Sequence, residues 1–183
     1  MNQSDTERAV QEHYAAIHGV VGDGGLRAVM HIGDECTGIA VGQGADVQAT
    51  LTLAMGSGRT ARDFFRHTPP SPLELEHAIA TVEDEVTRAR TLVQRQPRLY
   101  TCDAGIRTIA ALSGVTESDQ MELSLEAMER SFDRLTSVSL GKPAAQMGLP
   151  ADNGFAATLL VLREFMHHLG FVSITCMGTA ARL

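Results

Sequence analysis

The chain has 183 residues, 44% of them hydrophobic and 20% charged, and a formal net charge of −7. That length suits one domain with a buried core, and no apolar run is long enough to span a bilayer. The acidic balance, with no Lys/Arg run and no Trp, excludes a protein that gathers nucleic acid by long-range attraction.

The amino terminus, MNQSDTERAVQEHY, is polar and acidic and lacks the basic-then-apolar order of a signal peptide, so a soluble, cytoplasmic protein is expected. Residues 5–17 place Ala9, Val10, Tyr14 and Ile17 on one helical face, and the glycine-rich stretch from Gly19 to Gly25 ends that helix. We read residues 1–25 as a helical leader and 26–183 as a single domain. From Leu26 to Met55 the pattern predicts three antiparallel strands, Leu26 to Ile32, Thr37 to Val41 and Thr50 to Met55. Gly33 to Cys36 and Gly42 to Ala45 form the turns between them.

Gly56-Ser57-Gly58-Arg59-Thr60 then turns straight into a short helix ending at Arg66. Pro69-Pro70 stops it, because the residue before a proline is pushed out of helical conformation. Ser71-Pro72-Leu73-Glu74 restarts helix with the residues of a capping box. Leu75, Ile79, Val82, Val86, Ala89 and Val93 recur at spacings of three and four, predicting a long amphipathic helix. Arg98 to Cys102 is a short strand leading through Asp103-Ala104-Gly105 into a helix over Ile106 to Leu112. Further helices are expected around Leu125, Met128, Phe132 and Leu135, and over Phe155 to Leu169. Phe171 to Met177 is the final strand.

Chemistry enters at the turns. Gly56, Ser57 and Gly58 offer converging backbone N–H groups that favour an anion, although such strand-to-helix turns are more often plain connectors. The basic side chains nearest in sequence, Arg59, Arg62, Arg66 and Arg107, equally read as solvated helix residues. Cys36, Cys102 and Cys176 are too few for a disulfide framework. His167 and His168 diverge by about 100° on a helix and make a poor ligand pair.

This order, with its turn residues, resembles the second half of the exopolyphosphatase/guanosine pentaphosphate phosphatase (Ppx/GppA) family. The resemblance is carried by Met55-Gly-Ser-Gly-Arg-Thr-Ala-Arg-Asp-Phe-Phe65, Pro69-Pro-Ser-Pro-Leu-Glu-Leu-Glu76, Leu123-Ser-Leu-Glu-Ala-Met128 and Leu159-Leu-Val-Leu-Arg-Glu-Phe-Met-His-His-Leu-Gly-Phe171. It implies an α/β fold of the ribonuclease H-like type (actin/sugar-kinase superfamily), with a five-stranded mixed sheet and flanking helices. It also implies phosphate-binding positions at Gly33, Thr37, Gly56, Ser57, Gly58, Arg59, Gly105 and Arg107. The strand order of that fold makes the first, fourth and fifth strands neighbours, which implies that His31, Cys36, Cys102 and Cys176 approach one another as a weak alternative metal set, without the spacing of a known motif.

The departures lie in the phosphate turns. Where the family has Asp-Ile-Gly-Gly-Gly-Ser-Thr-Glu, this chain has His31-Ile-Gly-Asp-Glu-Cys-Thr-Gly38, so two glycines have become Asp34 and Glu35 and set like charge against a phosphate. The family's Gly-Gly-Thr is Asp103-Ala-Gly105, and its closing Ser-Asp-Arg-Gly is Met177-Gly-Thr-Ala180. Family members work in a cleft between two halves, and no such half precedes Leu26. The expectation is a stand-alone Ppx/GppA-like domain without phosphatase activity, acting as a binding or assembly module, with no catalytic residue and no cofactor. The alternative is a residual phosphohydrolase or a sensor of polyphosphate, guanosine tetraphosphate or a related phosphate-bearing metabolite, with Mg2+ needed only if hydrolysis survives. A homo-oligomer is expected because Met55, Phe64, Phe65, Met121, Met128, Met147 and Met166 cluster near turns and helix ends, unless the leader covers the exposed face itself.

Overall fold

The computed structural model describes residues 3–178. Helix α1 (Gln3–Val21) precedes strands β1 (Leu26–Ile32), β2 (Thr37–Gln43) and β3 (Asp46–Leu53). Helices α2 (Ser57–Phe64) and α3 (Pro72–Thr87) follow, then β4 (Arg98–Thr101), α4 (Ala104–Leu112), β5 (Gln120–Ser124), α5 (Leu125–Ser139), α6 (Asn153–Leu169) and β6 (Ser173–Met177). The strands form one mixed sheet in the order β3-β2-β1-β4-β6-β5. β1 pairs antiparallel with β2 and parallel with β4, and β4 is parallel to β6, as the first, fourth and last expected strands require.

The sheet has six strands rather than five. The additional strand, β5, pairs antiparallel with β6 at the edge, Met121 opposite Cys176 and Leu123 opposite Ile174. Its alternation of buried Met121 and Leu123 with exposed neighbours lasts only five residues and runs directly into α5, whose period of 3.6 masks it. Several boundaries also differ: α1 continues through Gly19 to Val21, and β2, α2 and β6 shift by about two residues. β3 begins at Asp46 because a two-residue turn, Gly44-Ala45, continues the ladder from Gln43. α3 ends at Thr87, yet Ala89 and Val93 stay buried because the following turns, such as Ala89 N–H to the Val86 carbonyl and Leu92 N–H to the Ala89 carbonyl, keep a three-residue spacing.

Strand parity divides the core into two layers. Ala28, Met30, Ile32, Ile39, Val41 and Leu53 face the layer of α3, α4, α5 and α6. Val29, Ala40, Tyr100, Cys102 and Met177 face the other way, against Val10, Tyr14 and Ile17 of α1. Burial of each of these three α1 side chains stabilises the docked helix by about 1.5–3 kcal/mol. Gly38, Ala40 and Gly42 alternate along β2 and let α1 lie close: a Cβ at Gly38 would stand 3.0 Å from Thr6 Cγ2 and 3.2 Å from Val10 Cβ. Fully buried Arg27 locks the α1–β1 connection. It donates to the Asp23 carboxylate (2.5 Å) and carbonyl (2.7 Å) and lies over the Tyr14 ring. The leader thus covers one sheet face within the chain. Met55, Phe65, Met121, Met128 and Met166 fill the core, while Phe64 and Met147 pack at its margin.

Candidate functional site

The strand-to-helix turns lie at one end of the sheet, where β1 and β4 finish. At the first, the 33–36 hairpin folds against the start of α2. The Ser57 N–H donates to the Gly33 carbonyl and the Arg59 N–H to the Asp34 carbonyl, each at 2.9 Å. The Ser57 hydroxyl adds a bond to the Gly33 carbonyl at 3.4 Å. Gly56 has no Cβ because the backbone of Asp34 and Glu35 passes there: a Cβ would meet the Asp34 carbonyl oxygen at 2.5 Å. A Cβ at Gly58 would overlap the Asp34 carboxylate itself. α2 has no side-chain cap of its own and no acidic residue in its first turn, so Asp34 supplies the negative charge its N-terminus favours. The phosphate position anticipated at Gly56, Ser57 and Gly58 is therefore filled by the chain's own carbonyls and carboxylate.

Of the other anticipated phosphate contacts, Gly33, Thr37, Arg59 and Arg107 already have partners within the chain. Thr37 is buried and its hydroxyl donates to the Met55 carbonyl at 2.7 Å. Gly33 closes its hairpin through its N–H to the Cys36 carbonyl. Arg59 pairs with Asp63 at 3.5 Å, and Arg62 makes a two-pronged contact with Glu35 at 2.7 and 3.0 Å. That contact holds the Glu35 carboxyl below the usual carboxylate range. Arg107 donates to the Cys176 and Ser118 carbonyls at 3.2 and 2.9 Å. Mg2+ takes oxygen ligands, but of the turn's two carboxylates Glu35 is held by Arg62 and Asp34 lies on the α2 N-terminus, so this turn does not fit that ion.

The second turn is built differently. Asp103 stands at the N-cap of α4 without bonding to it. Its carboxylate turns back to β1, accepting the Ile32 N–H at 2.7 Å and facing His31 Nδ1 at 2.6 Å. Gly105, in the first turn of α4, has space around it: a Cβ added there would stand 3.7 Å from Thr158 Cγ2, an ordinary contact distance.

The four-residue metal set is not assembled. Cys102 packs in the α1 layer and Cys176 in the opposite layer, because successive residues of parallel neighbours face opposite sides of the sheet. Burial pushes the Cys176 thiol up to about 12, against its use as a thiolate ligand. Cys36 is half-buried and joins no metal-capable group among the described residues. His31 does join one, with His13 and Asp103, and the imidazoles of His13 and His31 meet edge to face at 5.0 Å. Neither partner was anticipated. A leader histidine carries no local sign of meeting β1, and Asp103 was legible only as a departure from a glycine turn. Of the closing Met177-Gly-Thr-Ala180 turn, Thr179 and Ala180 lie outside the described residues.

The sheet order and helix layers define an α/β domain of the ribonuclease H-like fold, the one shared by actin-like ATPases. Within that class its fold is similar to that of Ppx/GppA proteins. It superposes on the crystal structure of the Aquifex aeolicus member of the Ppx/GppA protein family with a TM-score of 0.78 at 18% identity, covering 96% of this chain and 60% of that one. The type II variant of the Aquifex aeolicus Ppx/GppA phosphatase gives 0.77 at 16% identity, covering 96% and 61%. An exopolyphosphatase from Cytophaga hutchinsonii gives 0.70 at 14%, covering 92% and 59%. The chain thus spans about 60% of the length of the structures it resembles. No protein-family profile matches the sequence, and no curated protein matches it.

Proposed function

We propose that this Ppx/GppA-like domain serves as a binding or assembly module and does not hydrolyse phosphoanhydrides by itself. The observation that carries the reading is the filled turn at α2, where the Gly33 and Asp34 carbonyls take the Ser57 and Arg59 N–H groups and the Asp34 carboxylate lies on Gly58. A phosphate entering there meets a carboxylate and finds two of the donors already bonded. Fold likeness alone carries no activity when the site residues differ.

Phosphate release from polyphosphate and from guanosine pentaphosphate, assayed with and without Mg2+, is expected to match the protein-free blank. Metal-dependent release at enzymatic rates, abolished by substituting a residue of this chain, overturns the proposal. Thermal-shift titration with polyphosphate, guanosine tetraphosphate, ATP and pyrophosphate addresses the sensor reading: saturable stabilisation by one of them supports a ligand-holding role. Homo-oligomerisation belongs to the same proposal; because α1 already covers one sheet face within the chain, a second copy would have to meet it elsewhere. Light scattering over a dilution series is expected to return the mass of two chains or more, and a single-chain mass throughout removes that part.

A further inference from the structure

We infer that His13 and His31, the latter positioned by Asp103, form a binding site for a transition-metal dication of the zinc class, which joins α1 to the end of β1. The inference stands apart from any phosphate chemistry. It begins with the orientation of one ring. An ionised carboxylate oxygen only accepts, so at 2.6 Å from Asp103 Oδ1 the His31 Nδ1 carries a proton. In the neutral ring that leaves a lone pair on Nε2, which is buried and meets no hydrogen-bond partner among the described residues. Buried polar atoms are ordinarily partnered, and a cation is the partner that an imidazole lone pair beside a second imidazole suits best.

The arrangement matches how metal-ligating histidines are held elsewhere. One ring nitrogen is fixed by a carboxylate, which sets the tautomer and raises the basicity of the other. Asp103 is fixed in turn by the Ile32 N–H and is only 8% exposed, so its charge sits ready to offset that of an ion. The donor atoms of His13, His31 and Asp103 lie within 4.8 Å of one another. Four-coordinate zinc holds its ligands about 3.4 Å apart, so uptake draws the His13 and His31 rings together by side-chain movement, while Asp103 stays on His31 Nδ1 and positions that ring without touching the ion. Two imidazoles select Zn2+, Co2+, Ni2+ or Cu2+ over Mg2+ and Ca2+, which prefer oxygen. His167 and His168, by contrast, already face Glu129, Glu83 and Glu164.

Isothermal titration of the full chain with Zn2+ is expected to show saturable binding that excess Mg2+ does not displace. Co2+ should give the visible absorption of a four-coordinate nitrogen–oxygen site. His13→Ala and His31→Ala are expected to lose at least ~100-fold in affinity and Asp103→Asn about 10–100-fold, while His167→Ala and His77→Ala leave it unchanged. Absence of Zn2+ binding by the wild-type chain overturns the inference, as does full affinity in both the His13 and His31 variants. Where a variant does not fold, the imidazole nitrogen resonances of the wild-type chain decide: Zn2+ must shift those of His13 and His31, and a shift confined to His167 and His168 overturns the assignment.

Discussion

The starts of α2 and α4 are the same local device used in opposite ways. Both follow a strand, both carry glycine, and neither is capped by its own side chain. At α2 the neighbouring hairpin closes in, with its carbonyls on the helix N–H groups and Asp34 on Gly58. At α4 the acidic residue belongs to the turn itself yet leaves it, bonding to Ile32 and His31 on β1. An uncapped helix start is thus not a binding site by virtue of its composition, because whichever group arrives from the neighbouring strand decides whether the donors remain open.

Breaking the α2 turn should have the largest effect. Gly56→Ala drives a Cβ into the Asp34–Glu35 backbone, which cannot step aside as a flexible side chain would. We expect a loss of about 3 kcal/mol, at the upper end of overpacking costs, read by urea denaturation; a cost within experimental error dissolves the contrast between the turns. Removing the tie at the other turn comes next. Asp103→Ala leaves the Ile32 N–H buried without its acceptor and should cost about 2 kcal/mol. Asp34→Ala leaves no buried donor of that kind and should cost less in the same measurement.

The contrast is sharpened by restoring what the α2 turn lacks. In the double variant Asp34→Gly/Glu35→Gly the carboxylates are gone, and pyrophosphate is expected to raise its melting temperature in a saturable way. Stabilisation by about 2.7 kcal/mol corresponds to ligand at a hundredfold over its Kd. An unchanged response in wild type and variant alike means Asp34 is not what closes the turn.

A third helix start, that of α3, provides the capped reference. Ser71 accepts from the Glu74 N–H while Glu74 accepts from the Ser71 and Arg66 N–H groups and from His67. Burial alone would raise the Glu74 pKa, but the bonds from Ser71, His67 and Arg66 outweigh it and bring it down to about 2. A carboxyl depressed on folding stabilises above its unfolded pKa and ceases to do so as pH falls through the folded one. Glu74→Ala should therefore cost about 1 kcal/mol at neutral pH, with the difference from wild type shrinking between about pH 5 and pH 2. A difference independent of pH would show that the cap does not act through its charge.

The smallest expected effect returns to α4. Gly105 is helical with free space beside it, so Gly105→Ala should stabilise by about 0.5–1 kcal/mol. The same chemical change is thus expected to have opposite signs at Gly56 and Gly105.

Much of the fold was legible in the sequence because its signals are local. The α3 capping box is four consecutive residues, the α6 face repeats over four turns, and β1, β2, β4 and β6 announce themselves by apolar runs between turn residues. β5 escaped because five alternating residues are too few to stand out beside a helix. At the turns, the sequence by itself placed the carboxylates of Asp34, Glu35 and Asp103. Only the tertiary structure decided what each does: Asp34 presses on α2, Glu35 grips Arg62, and Asp103 crosses to His31. The same holds for the cysteines, which strand parity sends to opposite layers, and for His13, which reaches His31 because the small residues of β2 let α1 dock closely. Local periodicity fixes which face of an element is apolar, whereas a carboxylate's partner depends on which backbone donor or side chain the packed layers bring within about 3 Å.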